Sequence, residues 1–323
     1  MPSLKEIKTR IASVQGTRKI TSAMKMVASS KLHHAQVAIQ NMLPYENLLE
    51  HILKSFLVST PDASSDLSVE RNKIKSVALV VYSSNSSLCG GYNNNVIRMM
   101  LQAIDGYKAQ GIDNITIYPI GRKVAEKVKK MGYDPVGDFT ELADNPNAAV
   151  CKGIAEELME KYLRNEIDKV ELIYHHFKSA GSQVLTRRTF LPIDLSTENI
   201  GAYNDRDLSS NMATIKAQEY LRNKGNGGQR KNVEVKPLND DFIVEPNLEA
   251  VLAVLVPKLL DLMVYTALLD SNASEHAARM VAMQAATDNA DELLKDLNLE
   301  FNKSRQAAIT NELLDIVAGS ANN

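Results

Sequence analysis

The chain has 323 residues, 44% of them hydrophobic, and a formal charge of −2. This composition excludes disorder and a collagen-like fibre, and the near-neutral balance argues against general nucleic-acid binding, which needs a basic domain. The only two cysteines, Cys89 and Cys151, cannot build a disulfide framework or a zinc site by themselves; they fit a reducing compartment and are expected as buried small hydrophobes.

The first residues, Met1-Pro2-Ser3-Leu4-Lys5-Glu6-Ile7-Lys8, carry no apolar signal region, and the early Glu6 argues against a transit peptide. With no run of 18 apolar residues, membrane association is expected to pass through another protein. From Leu4 onward, apolar or small residues recur at 4, 7, 11 and 14 and again at Ala28, Leu32, Ala35, Ile39 and Met42. This alternation of three and four is the spacing of a helix seam. Arg18, Thr21 and Lys25 interrupt it, so a second frame, Ile20, Met24 and Val27, is expected to take over as the helix rotates its partner face. Pro44 is a potential kink, although apolar spacing resumes from Leu48 to Leu57 before the turn residues at 59–65 end the helix.

The middle of the chain changes pattern. Val77-Ala78-Leu79-Val80-Val81-Tyr82 is a continuous apolar, β-branched run, as in a strand covered on both faces. A helix over 93–110, a strand over 114–119 and helices over 122–131 and 150–163 follow. Residues 170–175 and 183–190 then form a hairpin turning at Ser179-Ala180-Gly181. Such alternation predicts an α/β domain with a mostly parallel sheet. Residues 204–240 are polar, include Asn223-Lys224-Gly225-Asn226-Gly227-Gly228, and read as a flexible excursion with one short helix.

Between Lys258 and Ala318 there is no Pro or Gly, so a single helix of about 60 residues, roughly 90 Å long, is expected. Met283, Thr287, Ala290, Leu294, Leu297 and Phe301 give it a seam matching the first helix, while Arg279, Arg305, Gln306 and Thr310 interrupt an otherwise small or apolar surface. Residues 1–43 hold seven Lys or Arg against Glu6 alone, whereas residues 285–315 hold seven acids against three bases. The two ends should therefore pair as an antiparallel coiled coil with everything else inserted between them. The apolar seam supplies most of the energy, and charge biases register and direction.

Candidate chemistry is sparse. Ser86-Ser87-Leu88-Cys89-Gly90-Gly91 follows a buried strand and precedes a helix, where a nucleotide-binding fold holds phosphate. It matches neither G-x-G-x-x-G nor a P-loop and is expected to be a structural turn. His33 and His34 point about 100° apart on a helix, and His175 and His176 face opposite sides of a strand, so neither pair suits one metal. Glu275-His276 lacks the second His of a zinc motif. Surface or interface roles are expected for all of these. Met24 and Met26 fit a core as readily as a soft contact surface, although Lys25 beside them favours the latter. No catalytic residue, metal ligand or cofactor-binding residue can be proposed.

Several long motifs carry a family resemblance. Ile20-Thr21-Ser22-Ala23-Met24-Lys25-Met26-Val27-Ala28-Ser29-Ser30-Lys31-Leu32, Leu88-Cys89-Gly90-Gly91-Tyr92-Asn93, Glu245-Pro246, the stretch from Ser274 to Met280 and the stretch from Arg305 to Leu313 resemble, in order along nearly the whole chain, the gamma subunit of F-type ATP synthase, of bacterial type. The resemblance implies an α/β plus long antiparallel coiled-coil fold, in which residues 1–60 and 247–319 form a shaft, residues 74–203 a Rossmann-like foot, and residues 204–246 an excursion and foot strand. It implies a rotating central stalk that couples proton or sodium flow to ATP synthesis and hydrolysis at beta-subunit sites, with no catalytic site of its own.

By the same resemblance, Asn302, Arg305, Gln306 and Thr310 would meet the beta-subunit catch loop, and Met24 with Lys25 the acidic beta lever. Leu313, Leu314, Ile316 and Val317 would sit in the apolar bearing of the hexamer, and Phe242, Val244 and Glu245 would meet the epsilon subunit and the c-ring. The implied partners are the alpha and beta subunits, epsilon and the c-ring, with the membrane reached only through that ring at the cytoplasmic face of the cell. Where the family commonly has Ser-Asp-Arg-Gly, this chain reads Ser84-Asn85-Ser86-Ser87, which puts any salt bridge of that turn in doubt. A static coiled-coil adaptor with an α/β sensor domain and a nucleotide-dependent enzyme are the competing classes.

Overall fold

A computed structural model describes residues 3–59, 66–68, 71, 73–193 and 248–321. The chain divides into two compact units, one made of residues 1–28 with 279–323 and the other of residues 29–278. Helices α1 (Leu4–Ser59) and α6 (Leu248–Ala321) contribute residues to both.

In the first unit the two chain ends pair antiparallel. The Thr21 and Thr287 hydroxyls lie 2.8 Å apart, and Arg18, three residues earlier, forms an ion pair with Asp291, four residues later. Ile7, Thr21 and Ala28 are buried on α1, as are Met283, Ala290 and Leu297 on α6, so the seams meet as their spacing predicted. The expected second frame does not form. Ile20 and Val27 are 61% and 58% exposed. The original seam passes through its polar positions because Thr21 finds a hydroxyl partner and Arg18 carries its charge out to Asp291 on a long aliphatic stem.

The second unit is built on a four-stranded sheet of β1 (Ser76–Tyr82), β2 (Asn114–Ile120), β3 (Lys169–Ser179) and β4 (Ser182–Leu191), in the order β2-β1-β3-β4. The first three strands are parallel, and β4 returns antiparallel as a hairpin. Every residue of β1 is buried because each face meets its own core. Val77, Leu79 and Val81 pack with α2 (Tyr92–Ala109) and α3 (Arg122–Lys130). Ala78, Val80 and Tyr82 pack with α5 (Ala148–Leu163) and the α6 residues Val256, Leu260 and Val264. Asn147 caps α5 by accepting from the Ala149 and Val150 amides, which starts that helix two residues before the apolar pattern suggests. A short helix α4 (Thr140–Asp144) was not evident in the sequence.

Helix α6 runs through Pro257. The lost backbone hydrogen bond costs a few kcal/mol, roughly 3, and is offset by the buried neighbours Val256, Leu259 and Leu260. By length and composition α6 also contains an 18-residue window apolar enough to cross a membrane, although charged residues such as Lys258 and Asp261 interrupt this part of the chain. Half of that window is buried in the fold, where it supplies core.

Candidate functional site

The carboxyl end of β1 is where a doubly wound sheet holds its ligand, at the point where chain connections diverge to β2 on one side and β3 on the other. Here the position is filled by protein. Asn93 accepts from the Ser84 amide and approaches Ser84 Oγ, the Ser86 carbonyl and Cys89 Sγ, so the turn satisfies its own polar groups. Asn85 ties this turn to α3 and α4. Its side chain donates to the Thr140 carbonyl and Asp144 and accepts from the Arg122 amide, while the Arg122 guanidinium donates to its carbonyl. From the other side come Leu268, Ser271, Asn272 and Glu275 of α6, leaving a cavity of about 10 Å³, room for about one water. The expectation of a structural turn holds.

The histidine expectation fails for three of five residues. His33 and His34 are exposed, but His175, His176 and His276 are buried. His175 and His176 do face opposite sides of β3, as strand geometry requires. His175 stacks on Tyr92 at 4.5 Å, and burial holds its imidazole down at about 4. On the other face His176 Nδ1 lies 2.8 Å from Asp270. His276 sits 2.5 Å from Glu275. The carboxylate beside His176 replaces water at that imidazole, whereas His175 is accommodated by stacking and stays neutral. Burial also pushes the Cys151 thiol up to about 12, so it is an inert core residue, and Cys89 is buried too. Among the described residues no group of His, Cys, Asp or Glu has the arrangement to hold a metal.

The first unit presents its unusual side chains outward. Met26 is 65% exposed, so the core alternative for it is excluded, and with Ile20 and Val27 it forms an apolar surface beside the half-buried Met24 and Lys25. Asn302, Arg305, Gln306 and Thr310 are all exposed, and Thr310 donates to the Gln306 carbonyl one turn back. The register set by Thr21 and Thr287 puts Met24 opposite residue 284 and Arg305 opposite the first residues of α1. The two groups are therefore not brought together but stand about 30 Å apart along the pair. Leu313, Leu314, Ile316 and Val317 extend past the start of α1, which is why they are 57–67% exposed. Phe242, Val244 and Glu245, and the whole 204–240 excursion, lie outside the described residues.

A family model described as ATP synthase matches residues 3–322. The ATP synthase gamma chain of Phocaeicola vulgatus is 52% identical over 320 residues, covering 99% of both chains. The chain belongs to the ATP synthase gamma chain family. The gamma chain of Flavobacterium johnsoniae is 38% identical over 99% of this chain and 98% of its own. Among solved structures, the fold is similar to a chain from the central stalk and c-ring of Tetrahymena thermophila mitochondrial ATP synthase (TM-score 0.53, 24% identity, 83% of this chain and 99% of that one). It is also similar to a chain from the rotor of Euglena gracilis mitochondrial ATP synthase (TM-score 0.56, 18% identity, 95% and 98%).

Sequence reasoning missed one group of residues that the structure makes prominent. Asp270, Ser271, Asn272 and Ser274 of α6 each contact a different part of the sheet unit. Their only signal was polarity inside an otherwise apolar stretch of helix.

Proposed function

We propose that this chain is the rotating central stalk of an F-type ATP synthase, a non-catalytic subunit that couples ion flow through a membrane c-ring to ATP synthesis and hydrolysis on the beta subunits. The end-to-end match to bacterial gamma chains at about half identity carries this reading. The filled nucleotide position at the end of β1 supports it against the enzyme alternative, since the chain's own side chains occupy the place a ligand would need.

An asymmetric helix pair can drive chemistry in partners without a catalytic group. Three equivalent subunits around it meet three different surfaces, and their conformational populations shift by the difference in contact energy. Asn302, Arg305, Gln306 and Thr310 supply polar contacts at one level and Met24 with Lys25 a soft, basic one at another, to the beta catch loop and the acidic beta lever respectively. Leu313, Leu314, Ile316 and Val317 fit an apolar bearing formed by alpha and beta subunits, which requires side chains that seal against water without fixed hydrogen bonds. Phe242, Val244 and Glu245 are assigned to contacts with epsilon and the c-ring, so the protein is peripheral at the cytoplasmic face of the membrane. Co-expression of the tagged chain with its own organism's alpha and beta subunits tests this: recovery in a 3:3:1 complex with ATPase activity is expected, and recovery of the chain alone would overturn it in favour of a static adaptor.

A further inference from the structure

Most of the contact between α6 and the sheet unit is apolar, through residues such as Val256, Leu260 and Val264. Apolar contact is non-directional, so it resists separation of a helix far better than rotation of the helix about its own axis. Within a short stretch of α6 the character changes. Asp270 meets His176 of β3 at 2.8 Å. Ser271 receives the Tyr92 hydroxyl of α2 on its carbonyl at 3.0 Å and meets it with its own hydroxyl at 2.5 Å. Asn272 donates to the Ala143 carbonyl of α4 at 2.8 Å, and Ser274 donates to the His175 carbonyl at 3.1 Å.

Successive helical residues point about 100° apart, so Asp270, Ser271 and Asn272 together sweep about 200° of the helix circumference. Each is tied to a different element of the sheet unit, by a bond that weakens steeply when its angle changes. Rotation of α6 in either sense, or sliding along its axis, strains these bonds together, and because Asp270 and Ser271 are buried, polar groups that lose their partners there carry a desolvation cost.

We propose that Asp270, Ser271 and Asn272 form a rotational key: they are positioning residues that hold α6 against twisting in the sheet unit, so that torque passes between that unit and the helix instead of being lost to slippage. This rests on the rotor reading above. It concerns transmission under load, and no part of it requires contact with nucleotide or with the ion path.

The test compares the complete membrane-bound complex carrying either the native chain or the D270A/S271A/N272A triple variant, reconstituted in vesicles. ATP hydrolysis is measured together with the membrane potential it generates, using a potential-sensitive dye. The potential generated per ATP hydrolysed is expected to fall about threefold or more in the triple variant, while ATP hydrolysis by the detached soluble complex, where the sheet unit carries no load, stays at the native rate. A merely structural role would lower both together. The conservative Asp270→Asn variant keeps an oxygen for His176 and should restore native coupling at that position.

If the triple variant does not assemble, Tyr92→Phe decides. It removes only the hydroxyl that reaches Ser271 and keeps the ring stacked on His175, and a smaller fall in the same ratio is expected. An unchanged ratio in an assembled complex overturns the key, as does a fall of the soluble ATPase in parallel. A native chain that does not recover alpha and beta subunits at all overturns the rotor reading instead.

Discussion

The Thr21 and Thr287 hydroxyls touch at 2.8 Å across the antiparallel helix pair, and each also reaches a carbonyl of its own helix, that of Arg18 at 3.1 Å and that of Met283 at 2.8 Å. Two hydroxyl protons thus serve three contacts. Removing one hydroxyl leaves the other with a backbone acceptor still in place, so no buried donor is orphaned. Thr21→Val should therefore destabilise the isolated chain by only about 1 kcal/mol, with a coupling energy to Thr287→Val of about 0.5 kcal/mol. A double-mutant cycle in urea measures both; a single-variant loss of several kcal/mol would mean the contact sets the register outright.

Arg18 and Asp291 form a cross-helix ion pair in this unit, and both side chains are nearly half exposed. Solvent screens such a pair, so Arg18→Ala should cost below about 0.5 kcal/mol, and less in high salt. Thermal unfolding at low and high ionic strength should show this small, salt-dependent difference. The apolar seam remains the main source of pairing energy.

Gly121 connects β2 to α3 with φ of 101°, a backbone region open to glycine and strained for other residues. An added Cβ would also overlap the Ser83 carbonyl oxygen, which is backbone and cannot move aside. Gly121→Ala should accordingly destabilise the chain by more than about 3 kcal/mol, seen as a lower urea midpoint with far-UV circular dichroism as the probe.

Burial lowers the His175 imidazole to about 4, below the ordinary value near 6.5. Above that value the group is neutral both folded and unfolded, and it contributes nothing to pH dependence. Between pH 6.5 and 4 the unfolded chain takes up a proton that the folded chain refuses, so stability falls as pH falls, by at most about 3 kcal/mol. His175→Phe keeps an aromatic ring over Tyr92, and among the described residues His175 Nδ1 has no hydrogen-bond partner to lose. The difference in Tm between pH 7 and pH 4.5 should be smaller in this variant than in the native chain.

Elements whose cause is local were legible in the sequence. The run from Val77 to Tyr82 shows its two buried faces by composition alone, and the three-four alternation around Met283, Ala290 and Leu297 marks a seam without knowledge of its partner. Features caused by distant residues were not. Ile20 and Val27 looked like a replacement seam because Thr21 looked unfit for one, and the partner that makes it fit lies 266 positions away. His176 looked like a surface residue because Asp270, 94 positions on, is what permits its burial. The same blindness hid the key on α6, where Ser271 and Asn272 acquire meaning only once Tyr92 and Ala143 stand opposite them. The filled nucleotide position was half legible: the turn sequence failed the phosphate motifs, but its closure by α6 required the fold.

Arg305 and Gln306 are both exposed on the helix pair, near the level at which α1 begins. Neither belongs to a core cluster, so replacing both by alanine should change the thermal stability of the isolated chain by less than about 0.5 kcal/mol. In the assembled complex the same replacement removes a guanidinium and an amide from the surface assigned to the beta catch loop. One lost charge-assisted hydrogen bond at a step that gates turnover corresponds to about 1.5 kcal/mol or more, hence about a tenfold fall in ATP turnover. Steady-state hydrolysis by purified complexes of verified stoichiometry measures this directly. Leu299→Ala, a residue 70% exposed in the same unit but assigned to no contact, is the matched control and should leave turnover unchanged. Native turnover in the Arg305→Ala, Gln306→Ala double variant would remove these residues from the drive contact and leave Met24 and Lys25 as the remaining polar or soft level of the shaft.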